Sequence, residues 1–203
     1  MRKGQQRKQE LLRIAYQLFI TKGYEATSID EIIEQAGIAK GTYYYYFESK
    51  EQTLEEVIDM MLEEEAGRAE AIMSTDLSIP DKIVGIISAL RPQVNEMPIE
   101  DALNRPENIL MHDKVYRKLI GMVVPVLSEV VKQGVDEGIF ACDHIPERVR
   151  LLLIISRDLF DEGRYTEEDT DVFIDTVERV LYAKSGSMGF IRSLITNPEN
   201  TVQ

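Results

Sequence analysis

Four consecutive tyrosines, Tyr43 to Tyr46, form the most unusual chemistry-bearing run in the chain, preceded by Lys40-Gly41-Thr42 and followed closely by Lys50. Phenol hydroxyls donate to phosphate oxygens, and aromatic rings pack on sugars or thymine methyls. Thr27 and Ser28 add two hydroxyls upstream, of types that equally serve as helix N-caps. Other reactive side chains are sparse: two histidines, His112 and His144, and one cysteine, Cys142. There is no Gly-rich phosphate loop after a strand, no HExxH and no GxSxG, so an enzyme is not expected. Cys142-Asp143-His144 brings two ligand types together without the further Cys or His that a metal site needs. No metal and no cofactor is expected.

Composition narrows the setting. Hydrophobic residues make up 44% and charged residues 29% of 203, a globular balance. The densest apolar run, Leu151 to Ile155, is far short of the roughly 20 residues of a membrane helix. Met1 to Gln6 is charged without an apolar stretch behind it, unlike a signal peptide. One cysteine excludes an internal disulfide framework and suits a reducing cytoplasm, where the chain is expected, away from membranes. The net charge of −13 is unevenly spread. Residues 1–50 hold eight Lys/Arg against six Asp/Glu; the other 153 hold 15 against 30. Polyanion binding needs local basic charge and tolerates an acidic body elsewhere.

The elements that would position these residues are helices. Leu11, Ile14, Ala15, Leu18 and Phe19 recur at three and four over about 5–21, and Lys22-Gly23 supplies a stop. Ser28 to Glu31 fits a capping box, with Ile29, Ile32, Ile33 and Ala36 inward and Gly37 ending the second helix. A third helix covers about 39–46. At 100° per residue, Tyr43 and Phe47 share the inner face, Gly41, Thr42 and Tyr45 point away, and Tyr44 and Tyr46 flank. Ser49 to Gln52 is a second capping-box pattern, opening a helix to about 73. Further helices are expected at about 80–95, 99–104, 107–120, 122–137, 146–162 and 166–184, with Pro125 in a first turn, Gly138 as a C-cap and a short turn near Phe190 to Ile195. No strand pattern or repeat is found. The fold class is all-α.

The stretch from Leu11 to Leu54 resembles the DNA-binding domain of the TetR/AcrR family of transcriptional regulators. The residues that carry the likeness are Leu18-Phe19, Lys22-Gly23-Tyr24, Thr27-Ser28, Ile29 with Ile32, Ala36 to Thr42, Tyr43 to Phe47 and Ser49-Lys50-Glu51. Ala39 stands where a serine is frequent, and Tyr43 where Leu, Ile or Phe is usual. The resemblance implies an N-terminal three-helix helix-turn-helix domain, 1–48, joined by helix 49–73 to an effector-binding and dimerisation domain within 49–203. It implies phosphate contacts by Thr27, Ser28, Lys40, Tyr45 and Lys50, with Gly41, Thr42, Tyr44 and Tyr46 facing the groove.

For the remainder the same resemblance implies a ligand-responsive homodimer on pseudo-palindromic double-stranded DNA, a repressor by family default. Candidate effector contacts are Met60, Met61, Met111, His112, Tyr116 and Met122, thioethers suiting an adaptable apolar pocket. Candidate dimer residues are two stripes, Leu152, Leu153, Leu159 and Phe160, then Phe173, Val177, Val180 and Leu181, which could pair as a four-helix bundle or merely face their own core. A helical scaffold with a non-functional helix-turn-helix is the competing reading.

Overall fold

A computed structural model describes residues 3–90, 96–160 and 165–195. These residues are helical, with no strand among them. The helices are α1 (Lys3–Lys22), α2 (Ile29–Ala36), α3 (Lys40–Tyr46), α4 (Lys50–Met73), α5 (Ile79–Ala89), α6 (Met97–Leu103), α7 (Ile109–Asp136), α8 (Ile145–Phe160) and α9 (Glu167–Leu181). Short 3-10 segments cover Pro106–Asn108 and Gly189–Leu194, the latter where a last helical turn is expected.

Local chemistry sets most of the ends. The expected box at Ser28 is complete: its Oγ accepts from Glu31 N–H at 3.2 Å, and Glu31 accepts from Ser28 N–H at 2.9 Å. The second box forms only by half. Ser49 Oγ accepts from Gln52 N–H at 3.1 Å, but the Gln52 side chain reaches one residue further back, to Glu48 N–H at 2.6 Å. Thr166 and Asp169 make an unexpected reciprocal box at the start of α9. That helix stops at 181 rather than 184, because Tyr182 takes a left-handed conformation (φ 52°) and Ala183 N–H turns back to Glu178 O. Gly138 (φ 74°) follows α7 as expected, its N–H bonded to Val135 O.

One expected break is absent. Residues 107–120 and 122–137 are joined in the single 28-residue α7, with Pro125 in its interior. Proline removes one backbone bond and crowds the carbonyl four residues earlier. Here that residue is Gly121, and the buried run Val123, Val124, Val126, Leu127, Val130 and Val131 continues past the proline. Helix 80–95 is found as Ile79–Ala89, its expected end at 91–95 lying outside the described residues, as do 161–162 of helix 146–162.

Two compact units emerge. The first takes the chain through Glu64 together with the described residues up to Leu119 that follow residue 95; the second takes Glu65–Leu90 and the chain from Ile120. In the first, Leu11, Ala15, Phe19, Ile32, Tyr43, Phe47, Leu54 and Val57 are buried. There α6 packs on α1, with Ile99 and Ala102 buried and Tyr16 hydroxyl donating to Glu96 Oε1 at 3.2 Å. In the second, α5 packs on the final 3-10 helix and α8 on α9. Buried Glu178 accepts from Gly186 and Met188 N–H at 3.0 and 2.9 Å, tying the chain after α9 to that helix.

Of the glycines in the second unit, Gly134 is the most closely packed. A Cβ there would lie 2.5 Å from Phe140 Cδ2 and 3.3 Å from Ile79 Cγ2. Gly134→Ala should lower stability by about 1–3 kcal/mol despite alanine's better helix propensity. Urea unfolding checks this; an unchanged or raised midpoint would refute the packing argument.

Candidate nucleic-acid interface

The site is built on a turn. Gly37 adopts φ 61°, ending α2 with its N–H on Glu34 O, and Ile38 N–H returns to Ile33 O, so the chain reverses into α3 within three residues. Arg7 of α1 donates to Ala36 O at 3.2 Å, satisfying another free carbonyl at the end of α2. Ala39 caps α3 without a side-chain hydrogen bond, as its missing hydroxyl requires.

Tyr43 holds α3 in place. Its ring is fully buried against Phe47, and its hydroxyl shares a 2.5 Å hydrogen bond with Thr53 Oγ1 on α4. The core position expected for it is therefore occupied with the hydroxyl satisfied. Burial pushes the phenol pKa up, keeping it a neutral hydrogen-bonding group. The other tyrosines differ in exposure: Tyr45 80%, Tyr44 46%, Tyr46 half-buried. Tyr45 and Tyr46 meet edge to face at 5.0 Å, and the Tyr46 hydroxyl lies over the start of α1 near Gly4. The outward centre of α3 is thus Tyr45 with Gly41 and half-buried Thr42, while Tyr46 leans back. A Cβ at Gly41 would meet nothing within 4 Å.

The hydroxyl and lysine candidates are rearranged. Thr27 is 1% exposed; its Oγ1 donates to Gly23 O at 2.9 Å and its N–H to Tyr24 O. Its side chain stitches the turn after α1, so it leaves the set of phosphate contacts. Ser28 stays at the surface as the N-cap of α2. Lys40 is exposed and pairs with Asp30 at 3.3 Å, a contact that solvent screens and a phosphate could replace. Lys50 is the larger correction. Its Nζ donates to Tyr24 O and Thr27 O at 3.0 and 3.1 Å and lies 4.2 Å from the Tyr24 ring centroid. This ammonium binds the carbonyls between α1 and α2, so a structural role replaces the expected free phosphate contact.

The six expected effector residues are all half-buried. Within the first unit, Lys114 pairs with Glu55 and Lys118 with Asp59, so these stretches of α7 and α4 run parallel. In that register Met60 and Met61 sit about 12 Å further along than Met111 and His112. Met122 belongs to the second unit. A shallow groove of about 570 Å³ lies elsewhere in the first unit, lined by Gln6, Gln9, Glu10, Arg13, Ile14, Gln17 and Gln35. Ser128 was overlooked: its Oγ is buried in α7 without a hydrogen bond among the described residues.

The dimer stripes divide. Leu152, Phe173, Val177 and Leu181 are buried within this one chain, with Phe160 and Phe173 edge to face at 5.2 Å. These four leave the candidate interface, because α8 and α9 use them against their own neighbours. Leu153, Leu159, Phe160 and Val180 are half-buried. The apolar side chains left exposed on these helices are Leu151, Ile154 and Val172, residues that the expected stripes passed over.

A capped helix, a glycine turn and a second helix with one buried anchor and an exposed polar-aromatic face define a helix-turn-helix domain on an all-helical chain. Residues 11–57 match the bacterial regulatory proteins of the tetR family. The match lies within the N-terminal helix-turn-helix region. It is 39% identical over 83 residues to the HTH-type transcriptional repressor KstR2 of Mycolicibacterium smegmatis, a match spanning 41% of this chain and 40% of that relative's length. It is 24% identical over 152 residues to the HTH-type regulator YhgD of Bacillus subtilis, spanning 73% and 78%. In fold it is similar to a transcriptional regulator from Cytophaga hutchinsonii (TM-score 0.62, 15% identity, 93% and 98% covered). It is likewise similar to a TetR regulator from Chloroflexus aurantiacus (TM-score 0.57, 22% identity, 90% and 93% covered).

The Glu31 carboxyl tests the capping geometry. A hydrogen bond from Lys22, then one from Ser28 N–H, holds its pKa down to about 2 from an ordinary 4.5. A depressed folded-state value means the stabilisation is complete above about 4.5 and is lost as pH falls through about 2. An NMR titration should find Glu31 ionising near 2, and Lys22→Met should move it toward 4.5. A wild-type value of 4.5 would show that neither the Lys22 pair nor the cap holds Glu31 in solution.

Proposed function

We propose that the chain is a sequence-specific DNA-binding transcriptional regulator, a repressor released from its operator by a small molecule and acting in the cytoplasm. The observation that carries this is the outward face of α3, Gly41, Thr42, Tyr44 and Tyr45, held on a buried Tyr43. An exposed aromatic row on so short a helix serves no core, and its neighbours Ser28 and Lys40 suit phosphates. In this reading the three-helix reader lies before residue 48, and effector binding and dimerisation after it. A scaffold with an idle helix-turn-helix is disfavoured by the same exposed face.

The purified chain should select one common (pseudo)palindromic sequence from a random DNA pool, with half-sites set by groove helices roughly 34–36 Å apart. Gly41→Ala should leave thermal stability intact, since its Cβ meets open space, yet weaken the selected site roughly tenfold or more by holding the backbone off the bases. A random-pool selection that yields no shared sequence would exclude the regulator reading.

Dimerisation is part of the proposal, because one helix-turn-helix rarely buries enough surface for specific binding. The exposed Leu151, Ile154 and Val172 support α8 and α9 as the interface. Ile154→Glu should dissociate the dimer with helicity retained, whereas Val177→Glu, which places a carboxylate in the protomer's own core, should lose helicity. Sedimentation and circular dichroism separate the two; a folded, fully dimeric Ile154→Glu would move the interface elsewhere. For the effector, linkage requires that operator weaken the ligand by the factor by which ligand weakens operator.

A further inference from the structure

The base-reading chemistry of α3 is restricted in a way that says what it reads. Its seven side chains are Lys40, Gly41, Thr42 and Tyr43 to Tyr46. It contains no Arg, Asn or Gln, so of the side chains that bond a guanine or adenine edge at two points only a lysine, Lys40, is present. Lys40, its only cation, sits at its first position and is turned to Asp30 of α2. Tyr43 is consumed by the core and Tyr46 leans toward α1. What remains at the surface is half-buried Thr42, with its methyl and hydroxyl, and the exposed rings of Tyr44 and Tyr45. A phenol hydroxyl both donates and accepts, so it bonds to any base edge or phosphate and distinguishes little. An apolar surface in the major groove distinguishes one base feature sharply, the 5-methyl group of thymine.

We propose that this protein reads its operator through thymine methyl groups, with Thr42, Tyr44 and Tyr45 forming the apolar surface that receives them and no guanine edge read by α3. The proposal rests on the DNA-binding reading given above. Gly41 contributes by removing the one side chain that would stand between the helix backbone and the bases on this face. Removing a buried methyl weakens an interaction roughly fourfold, so two contacted thymines in each half-site give an effect well above tenfold.

The test uses the full chain and the sequence it selects from a random pool, resynthesised with deoxyuridine for thymidine, which deletes only the methyl. Binding should fall at least tenfold. Replacing each guanine by 7-deazaguanine, which deletes the N7 acceptor, should leave affinity within about twofold. Tyr45→Phe keeps its ring and should preserve the thymidine/deoxyuridine ratio, while the Tyr44→Ala, Tyr45→Ala pair should bring that ratio close to one. Equal binding of the thymidine and deoxyuridine duplexes overturns the proposal, as does a tenfold loss with 7-deazaguanine, a selected half-site without thymine, or an unchanged ratio in the double variant. Each of these presupposes a selected site; failure to select any sequence overturns the regulator reading instead.

Discussion

A helix of seven residues does not persist in water by its own hydrogen bonds, because nucleation costs more than so few bonds return. Everything exposed on α3 therefore depends on the one side chain that fastens it. Tyr43 does this in two ways, through a ring buried against Phe47 and a hydroxyl bonded to Thr53. A leucine or phenylalanine would provide the first and not the second. The hydroxyl bond also fixes the rotation of α3 about its axis relative to the first turn of α4, and rotation decides which of its neighbours face outward. Lys50 completes the arrangement from the other side, holding the carbonyls of the α1–α2 connection from the first residue of α4. The start of α4 thus governs both ends of the helix-turn-helix.

The fold was legible wherever one local rule had no competitor. Ser28 with Glu31, and Gly37 at a left-handed turn, announced α2 because capping chemistry is short-range and complete within a few residues. The split expected near residue 121 failed because Gly121 and Pro125 are breakers by propensity, and propensity is a weak prior beside a continuous valine face. The half-formed box at Ser49 shows the same limit on a smaller scale: the pattern specified a donor and an acceptor but not which amide Gln52 would choose.

The candidate site divides along a similar line. Helical periodicity placed Tyr43 inward and Tyr45 outward correctly, since both follow from 100° per residue and one buried anchor. Thr27 and Lys50 resemble phosphate contacts by position, and only three-dimensional accounting of carbonyl partners shows that their polar atoms are already engaged. The stripes on α8 and α9 were real, but a buried stripe does not declare whether its partner is the same chain or a second one. Phe173 and Val177 prove to be internal, and the side chains left over, Leu151 and Ile154, lie one position away from the expected stripe residues.

The clustering of tyrosine in α3 also has an optical consequence. The chain has nine tyrosines and no tryptophan. Its near-ultraviolet absorption and emission therefore arise largely from phenol rings, and four of the nine stand side by side on the helix that would enter the groove. Two of those four are exposed, and neighbouring rings meet edge to face at 5.4 and 5.0 Å, close enough to share excitation. The surface proposed to meet DNA thus carries four of the protein's nine chromophores, and docking there would perturb the native signal directly, without a label.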